Sequence, residues 1–218
     1  MILLGIWFVF YAFNPKLRKE MLIISVFTTP TGLAEPIFIG RYWSPPSLFN
    51  LNVLTGFDIE SLIFSFAVGG IVSIMYESVF KTKHSKIRNK THDRVKLFHF
   101  LSLLSPFIVF FLLYLFTELN PIYTTIISLF VGSVLSIVCR PDLVKNMFLG
   151  GVFFTALYFV FFLFVSLADP SFVSYWNLSE ISGILVAGIP LEELLYAFTF
   201  GMLWSGIYEH IFGYELKK

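Results

Sequence analysis

Charged residues are scarce in this sequence. They make up 13% of its 218 positions, about half the share of a typical water-soluble domain, whereas 57% of the positions are hydrophobic. This balance excludes an ordinary soluble domain and predicts an integral membrane protein. Cysteine is scarcer still, since Cys139 is the only one. A lone cysteine excludes an internal disulfide and a metal site built from several cysteines.

Other absences narrow the range of functions. No glycine-rich dinucleotide fingerprint occurs, so we expect no bound flavin or nicotinamide of the Rossmann kind. The four histidines are scattered over predicted loops and helix ends and predict no metal set. We therefore expect neither a cofactor nor a metal ion. The net charge of +1 gives no indication of a nucleic-acid partner, and we expect none. No basic residue precedes the first apolar run, so we expect no secretory signal peptide.

Apolar runs predict seven membrane-spanning helices, because about 20 residues cross a bilayer. They cover residues 1–13, 20–39, 57–80, 97–116, 121–138, 147–167 and 181–207. An N-terminus placed outside puts 14 of the 15 lysines and arginines on the cytoplasmic side, as the positive-inside rule requires. We therefore expect a multi-pass protein of the cell membrane whose C-terminus and basic 81–96 loop are cytoplasmic. We interpret this loop as a solvated anchor, with binding to anionic lipid heads as the alternative.

One segment of the chain occurs twice. Residues 56–80 and 188–212 align without a gap at an offset of 132, with nine identical positions. The segments upstream of them, EPIFIGRYW and DPSFVSYW, each contain an acid before proline and a Tyr-Trp pair. Helices one to three then correspond to helices five to seven. The fourth helix returns the chain across the membrane, so that both halves lie parallel.

The predicted fold is therefore all-α: a polytopic membrane protein with seven transmembrane helices, in which two parallel three-helix repeats are joined by a linking helix. The first repeat covers residues 1–80, and the basic loop with the linking helix covers 81–120. The second repeat covers 121–218. We expect a substrate to bind at the interface between the repeats.

Ionisable side chains inside membrane segments are costly and therefore indicate function. The predicted topology puts five acids in the outer half of the membrane, namely Glu35, Glu60, Asp169, Glu192 and Glu193. A buried carboxyl that keeps its proton can act as a general acid, while an ionised neighbour accepts a proton. Adjacent helix residues point about 100° apart, so we expect Glu192, the counterpart of Glu60, to face the cavity and Glu193 to orient it. The alternative is structural: hydrogen bonds between helices or, for Glu35 and Asp169, the capping of a turn.

Glu77 and Glu209 occupy the opposite ends of the two repeated helices, and we interpret them as structural. A carboxylate at the C-terminus of a helix is unfavourable with the helix dipole. Each of them is therefore expected to have a cationic or hydrogen-bonding partner.

Aromatic side chains are abundant, with 28 Phe, 10 Tyr and 4 Trp. Aromatic faces stabilise cations, by about 2 kcal/mol or more when the pair is desolvated, although most of these phenylalanines are expected to face lipid or to fill the core. Acids beside an aromatic cavity inside a bilayer favour carbocation chemistry on an isoprenoid.

The pattern of an acid, a Tyr-Trp pair and then Pro-x-Glu-Glu at the head of a helix resembles the integral-membrane lycopene cyclase domain. That domain occurs as two small three-span subunits in heterodimeric bacterial cyclases, and in fused form in archaea and fungi. The second copy, from Pro190 to Glu193, matches the motif. The first copy, from Asp58 to Ser61, lacks the proline and the second acid.

The resemblance implies an isomerase that acts without net redox change on a linear carotenoid such as lycopene. An acid protonates the end-group double bond, the cation closes a six-membered ring, and a base removes a proton. Implied acid–base residues are Glu60 and Glu192, with Glu193, Asp169 and Glu35 as supporting acids. Implied substrate-lining residues are Trp43, Trp176, Tyr196 and Phe64.

Three other functions stay open at this point. Another membrane terpene or prenyl cyclase would use similar acids and aromatics. A small carrier built from parallel repeats would also need intramembrane acids, and a non-catalytic partner of carotenoid enzymes would not. A homo-oligomer or an association with enzymes of the carotenoid pathway is equally open, as are the ring type and the number of ends cyclised.

Overall fold

The structure is a computed structural model that describes residues 2–46, 51, 58–87 and 93–217, with side chains from residue 98 onward in the last range. Part of the basic 81–96 loop and the first two residues of the 56–80 segment lie outside the described residues. The helices are α1 (Ile2–Phe13), α2 (Arg18–Thr28), α3 (Ile59–Phe80), α4 (Asp93–Phe116), α5 (Pro121–Cys139), α6 (Val144–Ala168), α7 (Leu191–Trp204) and α8 (Ile207–Phe212). Short strands are β1 (Lys83–Lys86), β2 (Leu185–Val186), β3 (Ile189–Pro190) and β4 (Tyr214–Lys217). Turns of 3-10 helix occupy Thr29–Ile37, Pro141–Leu143, Pro170–Tyr175 and Leu178–Glu180.

Within the described residues, four helical segments are long and apolar enough to cross a membrane. They are Ile59–Phe80, Phe98–Phe116, Pro121–Cys139 and Pro141–Ala168, and α1 is a shorter apolar helix. The chain is thus a mainly helical membrane protein, as its composition predicts. The count of seven spans stays a prediction.

Two of the expected spans are not continuous α-helices. Over 20–39, the α-helix ends at Thr28 and continues as the 3-10 helix, which contains Pro30 and Pro36. Proline lacks the N–H that an α-helix interior needs. Over 181–207, β2 and β3 form a hairpin whose two turn residues, Ala187 and Gly188, have positive φ angles. Such a turn joins antiparallel strands and excludes a helix there, so the helix begins only at Leu191.

Small residues let the last long helix of each half approach its neighbour closely. A Cβ added to Gly69 of α3 would overlap the side chain of Thr28 on α2. A Cβ added to Gly201 of α7 would lie 2.8 Å from the Cα of Gly151 on α6. Close contacts through small residues are typical of helix packing in membranes. Gly69 and Gly201 are also 132 positions apart, so paired positions of the two copies make comparable contacts.

The helices form one bundle around α3 and α7. Helix α3 contacts α1, α2, α6 and α7, while α7 also packs against α5, and α4 packs on α5. A buried hydrogen bond joins the two halves, since the indole N–H of Trp204 donates to the hydroxyl of Thr28 over 2.6 Å. The buried core runs through both halves, from Leu3 to Tyr208.

The two repeated segments also end alike. Helix α3 is closed by Lys81 and α8 by Gly213, each in the left-handed conformation. Each segment then continues as a strand, and β1 pairs antiparallel with β4 from Lys83↔Lys217 to Lys86↔Tyr214. We call the end of the bundle that carries this two-stranded sheet the β1–β4 end. It lies at the far end of α3 from Glu60, about 30 Å along the helix at 1.5 Å per residue.

Candidate active site

A cavity of about 1190 Å³ extends into the bundle, lined by residues from each of α1 to α7. Most of its lining side chains are apolar. Four of them, Val26, Phe27, Phe107 and Phe111, are also exposed on the surface of α2 and α4. The cavity therefore opens toward the lipid-facing surface, and its volume exceeds the roughly 300–1,000 Å³ of pockets for drug-sized molecules.

Three acids meet at the start of α3 and form the first acid group, Glu35, Asp58 and Glu60. Asp58 caps α3, because its carboxylate accepts a hydrogen bond from the backbone N–H of Ser61 over 2.8 Å. The Ser61 hydroxyl donates to Glu35, which the 3-10 helix carries to this point. All three acids line the cavity.

Close packing brings Glu35 to α3. Gly32, one turn of 3-10 helix before Glu35, lies so near the backbone of α3 that an added Cβ would be 2.5 Å from the carbonyl oxygen of Ser61. The break of the second predicted span into a 3-10 helix thus has a consequence for the site, because it lets this segment pack against the start of α3.

Glu193, near the start of α7, faces the cavity from the second half of the chain. Its carboxylate accepts hydrogen bonds from the hydroxyl of Tyr42 over 2.8 Å and from the indole N–H of Trp176 over 2.9 Å. The buried ring of Tyr158 also lines the cavity beside this carboxylate. Glu193, Tyr42 and Trp176 are all buried. Hydrogen bonds to a carboxylate favour its ionised form and offset part of the cost of burial.

The two Tyr-Trp pairs of the sequence meet above Glu193. Trp43 and Trp176 form an antiparallel bridge. It is flanked by hydrogen bonds from the N–H of Ser44 to the carbonyl of Tyr175 and from the N–H of Asn177 to the carbonyl of Tyr42, at 2.7 and 2.8 Å. The first half thus supplies the tyrosine, and the second half the tryptophan, that hold one carboxylate.

The expected orientation of Glu192 and Glu193 is reversed in the structure. Among the described residues, Glu193 lines the cavity and Glu192 does not. Glu192 accepts hydrogen bonds from the hydroxyl of Tyr123 over 2.7 Å and from the N–H of Ser182 over 2.9 Å. The β2–β3 hairpin explains this, because it places residues 182–190 beside the first turn of α7, where the sequence predicts helix. Only one of the two neighbours faces the cavity, as the helical angle requires.

Asp169 lies at the rim of the cavity. It caps the 3-10 helix after α6, accepting hydrogen bonds from the N–H and the hydroxyl of Ser171 at 3.0 and 2.5 Å. These hydrogen bonds lower the pKa of the exposed Asp169 carboxyl below its ordinary value. Its counterpart Glu35 makes no such cap, so the two acids before proline differ in their surroundings.

Three of the four expected substrate-lining residues, Trp43, Phe64 and Tyr196, line the cavity. Among the described residues, Trp176 is not part of the lining. Its ring packs edge-on against Phe162 and Phe172, which themselves line the cavity. Trp176 therefore supports the wall and the Glu193 carboxylate from behind.

Several polar residues of the site are not predicted from the sequence. They are Asp58, Tyr42, Tyr158 and Tyr123. Asp58 had a local signal, since an Asp directly before an apolar helix is a typical N-cap. Tyr42 belongs to the repeated Tyr-Trp pair, of which only the tryptophan is predicted to line the site. Tyr123 and Tyr158 carry no such signal among 10 tyrosines.

The histidines are less scattered than the sequence indicates. His99 and His210 lie 3.0 Å apart, and the thiol of Cys139 is 3.2 Å from His99. His84 lies beside Glu20, Glu77 and Glu209. Both groups are close enough to hold a metal ion, which corrects the expectation that no histidine belongs to a possible metal set.

A family model described as lycopene cyclase matches residues 120–211. The matched range contains α5, α6 and α7, and with them Glu192, Glu193, Asp169 and Trp176. The resemblance to the lycopene cyclase domain family is thus confirmed for this part of the chain. No curated protein and no solved structure gives a significant match.

Proposed function

We propose that this protein is a membrane-embedded carotenoid cyclase that closes an end ring on a linear carotenoid such as lycopene. The observation that carries the proposal is the large apolar cavity, open toward lipid, into which acids from both halves of the chain project. The family match over residues 120–211 supports the same reaction class. The cavity is the entry route for a substrate that is dissolved in the bilayer.

The first acid group is the proposed proton donor. Glu35, Asp58 and Glu60 are close enough to interact electrostatically. Three carboxyls in one place repel one another when all are ionised, so such a group retains a proton. That proton adds to the terminal double bond of the carotenoid. The resulting cation forms the new carbon–carbon bond of a six-membered ring.

Glu193 is the proposed counter-charge and base. Its two hydrogen-bond donors, Tyr42 and Trp176, favour the ionised carboxylate, which stabilises the cyclic cation and then accepts a proton from it. The double bond that forms in the ring restores neutrality, so no oxidant or reductant is consumed. Glu192 and Asp169 act as positioning residues in this scheme, since each is held by local hydrogen bonds.

Aromatic side chains complete the site. Phe64 lines the cavity one turn of α3 after Glu60, Tyr196 lines it one turn of α7 after Glu193, and Trp43 lines it too. A desolvated aromatic face contributes about 2 kcal/mol to a nearby cation. Their proposed role is to stabilise the carbocation while the apolar wall excludes the water that would quench it.

We also propose the parallel-repeat architecture and the orientation with the N-terminus outside. Support comes from Gly69 and Gly201, which make comparable helix contacts, and from Lys81 and Gly213, which end their helices in the same conformation. Both pairs keep the offset of 132. The charge distribution supports the orientation.

The function is tested by expressing the chain in a bacterium that accumulates lycopene and separating the extracted pigments by chromatography. We expect cyclic carotenoids from the wild type. Glu193→Gln and Glu60→Gln keep the side-chain shape but remove the acid–base chemistry, so both should leave lycopene unconverted. The matched control is Glu118→Gln, which changes an exposed acid between α4 and α5.

Protein in the membrane fraction is quantified for every variant, so that loss of folding is not read as loss of chemistry. Untouched lycopene with well-expressed wild-type protein would contradict the proposal for this substrate. Full conversion by both Gln variants would contradict the assigned residues. Conversion of other prenyl substrates, but not lycopene, would instead indicate a different membrane terpene cyclase.

A further inference from the structure

A second polar cluster lies at the β1–β4 end of the bundle, remote from the cavity acids. It contains Glu20 of α2, Glu77 of α3, His84 of β1 and Glu209 of α8. The three glutamates are almost completely buried, with exposed fractions of 2%, 1% and 0%. The proposed cyclisation uses none of these residues.

His84 is the centre of the cluster. Its Nε2 lies 2.7 Å from Oε1 of Glu209, 3.5 Å from Oε2 of Glu20 and 3.8 Å from Oε1 of Glu77. One imidazole can bear at most one positive charge, which cannot balance three buried carboxylates. The cluster therefore has more potential negative charge than its histidine neutralises.

The carboxylate oxygens also lack donors. Within the described part of the chain, nothing donates a hydrogen bond to either oxygen of Glu20, to either oxygen of Glu77 or to Oε2 of Glu209. Buried polar groups without partners are costly, and buried charges are normally paired or bound to a metal. These oxygens point into the cluster, where an additional ligand would satisfy them.

The nearby guanidinium is engaged elsewhere. Arg140 donates to the carboxylate of Asp142 and to the backbone carbonyls of Glu209 and Tyr214. It therefore contacts the backbone of Glu209 and not its carboxylate. This leaves the middle of the cluster without an arginine or lysine among the residues whose side chains are described.

The ligand atoms are spaced as a metal site requires. Each of the four residues offers one oxygen or nitrogen atom, and these atoms lie within 4.8 Å of one another. Metal–ligand bonds of about 2.0–2.6 Å place the ligands of one ion about 3–5 Å apart. From this geometry we infer a divalent-cation site formed by Glu20, Glu77, His84 and Glu209.

The donor set selects the class of ion. Three carboxylates and an imidazole suit a first-row transition ion such as Mn²⁺, Fe²⁺ or Zn²⁺, whereas Ca²⁺ prefers oxygen ligands alone. Glu20 and Glu77 come from the first half of the chain and Glu209 from the second, with His84 on the strand that pairs with β4. The ion thus has a structural role and connects both halves of the chain at the β1–β4 end.

The test is a metal analysis of the full chain, purified in detergent with an affinity tag that binds no metal. We expect about one transition-metal ion per chain by mass spectrometry. Removal with EDTA should lower the melting temperature by several degrees, and added Mn²⁺ or Zn²⁺ should restore it. Less than a tenth of an ion per chain, together with no thermal response to either added ion, would overturn the inference and leave the acids sharing protons.

Variants locate the ion. Glu77→Gln and His84→Gln should weaken Mn²⁺ binding at least about tenfold, a loss typical of altered metal sites, as measured by the electron paramagnetic resonance of free Mn²⁺. The matched control is His99→Gln, which changes the other histidine group and should bind as the wild type does. Binding lost in His99→Gln but kept in His84→Gln would overturn the assignment in favour of the group around Cys139. If a variant does not fold, the wild-type titration decides alone.

Discussion

The hydrogen bond from Tyr42 to Glu193 provides the sharpest test of which acid faces the substrate. The bond is 2.8 Å long, and both residues are buried, with exposed fractions of 3% and 6%. A hydrogen bond to a charged group contributes about 1.5–3 kcal/mol. Since each 1.36 kcal/mol corresponds to a factor of ten in rate, Tyr42→Phe should slow cyclisation by roughly 10- to 150-fold.

The matched variant is Tyr123→Phe. It removes the hydroxyl that donates the corresponding 2.7 Å hydrogen bond to Glu192. Glu192 does not line the cavity among the described residues, and it keeps its bond from the N–H of Ser182. We therefore predict a much smaller loss of rate in Tyr123→Phe. The assay is the initial rate of lycopene conversion in isolated membranes, normalised to the amount of folded protein. A wild-type rate in Tyr42→Phe together with a large loss in Tyr123→Phe would refute the choice of Glu193.

Three further predictions concern packing, protonation and orientation. Gly32→Ala should destabilise the protein by about 1–3 kcal/mol, as overpacking does, because the new Cβ would lie 2.5 Å from the carbonyl oxygen of Ser61. Gly5→Ala is the control and should not destabilise the protein, because nothing lies within 4 Å of its new Cβ. Thermal unfolding in detergent compares the two variants. Hydrogen bonds from Ser171 lower the pKa of Asp169, so this carboxyl is ionised at neutral pH and cannot donate the proton. Asp169→Asn keeps an oxygen that can accept these hydrogen bonds and so preserves the positioning role. This variant should therefore cyclise lycopene at close to the wild-type rate, and a large loss would assign Asp169 to the chemistry. A reporter that works only in the cytoplasm should be active when it is fused to the C-terminus, whereas a reporter that works only after export should be inactive there. The opposite result would reverse the proposed orientation.

The sequence predicts the long helices well, because each is a single apolar run without an interior break. The expected limits 121–138 and 147–167 differ from α5 and α6 by at most three residues at either end. It fails over 20–39 and 181–207, where the chain forms a 3-10 helix with two prolines and a β-hairpin, although the single Pro106 leaves α4 continuous. Hydropathy alone cannot distinguish the 3-10 helix after Thr28, or the hairpin before Leu191, from a membrane-spanning helix.

The residue types of the site are also predictable, whereas their partners are not. An acid at the head of each repeated helix follows from the alignment, and so does a Tyr-Trp pair before it. Which neighbour of the Glu192–Glu193 pair faces the cavity depends on where α7 begins, and the hairpin determines that. The contact of His84 with Glu209 depends on the pairing of β1 with β4, two short polar strands that a helical reading of the chain does not contain.

Proton transfer from an acid to the carotenoid is the step that distinguishes the proposed reaction, and it can be followed directly. Isolated membranes are incubated with lycopene in deuterium oxide, and the cyclic product is analysed by mass spectrometry. Because the carboxyl protons of the first acid group exchange with solvent between turnovers, each ring formed should carry one deuterium. Cyclic product of unchanged mass, formed at the normal rate, would contradict cyclisation by protonation from this site.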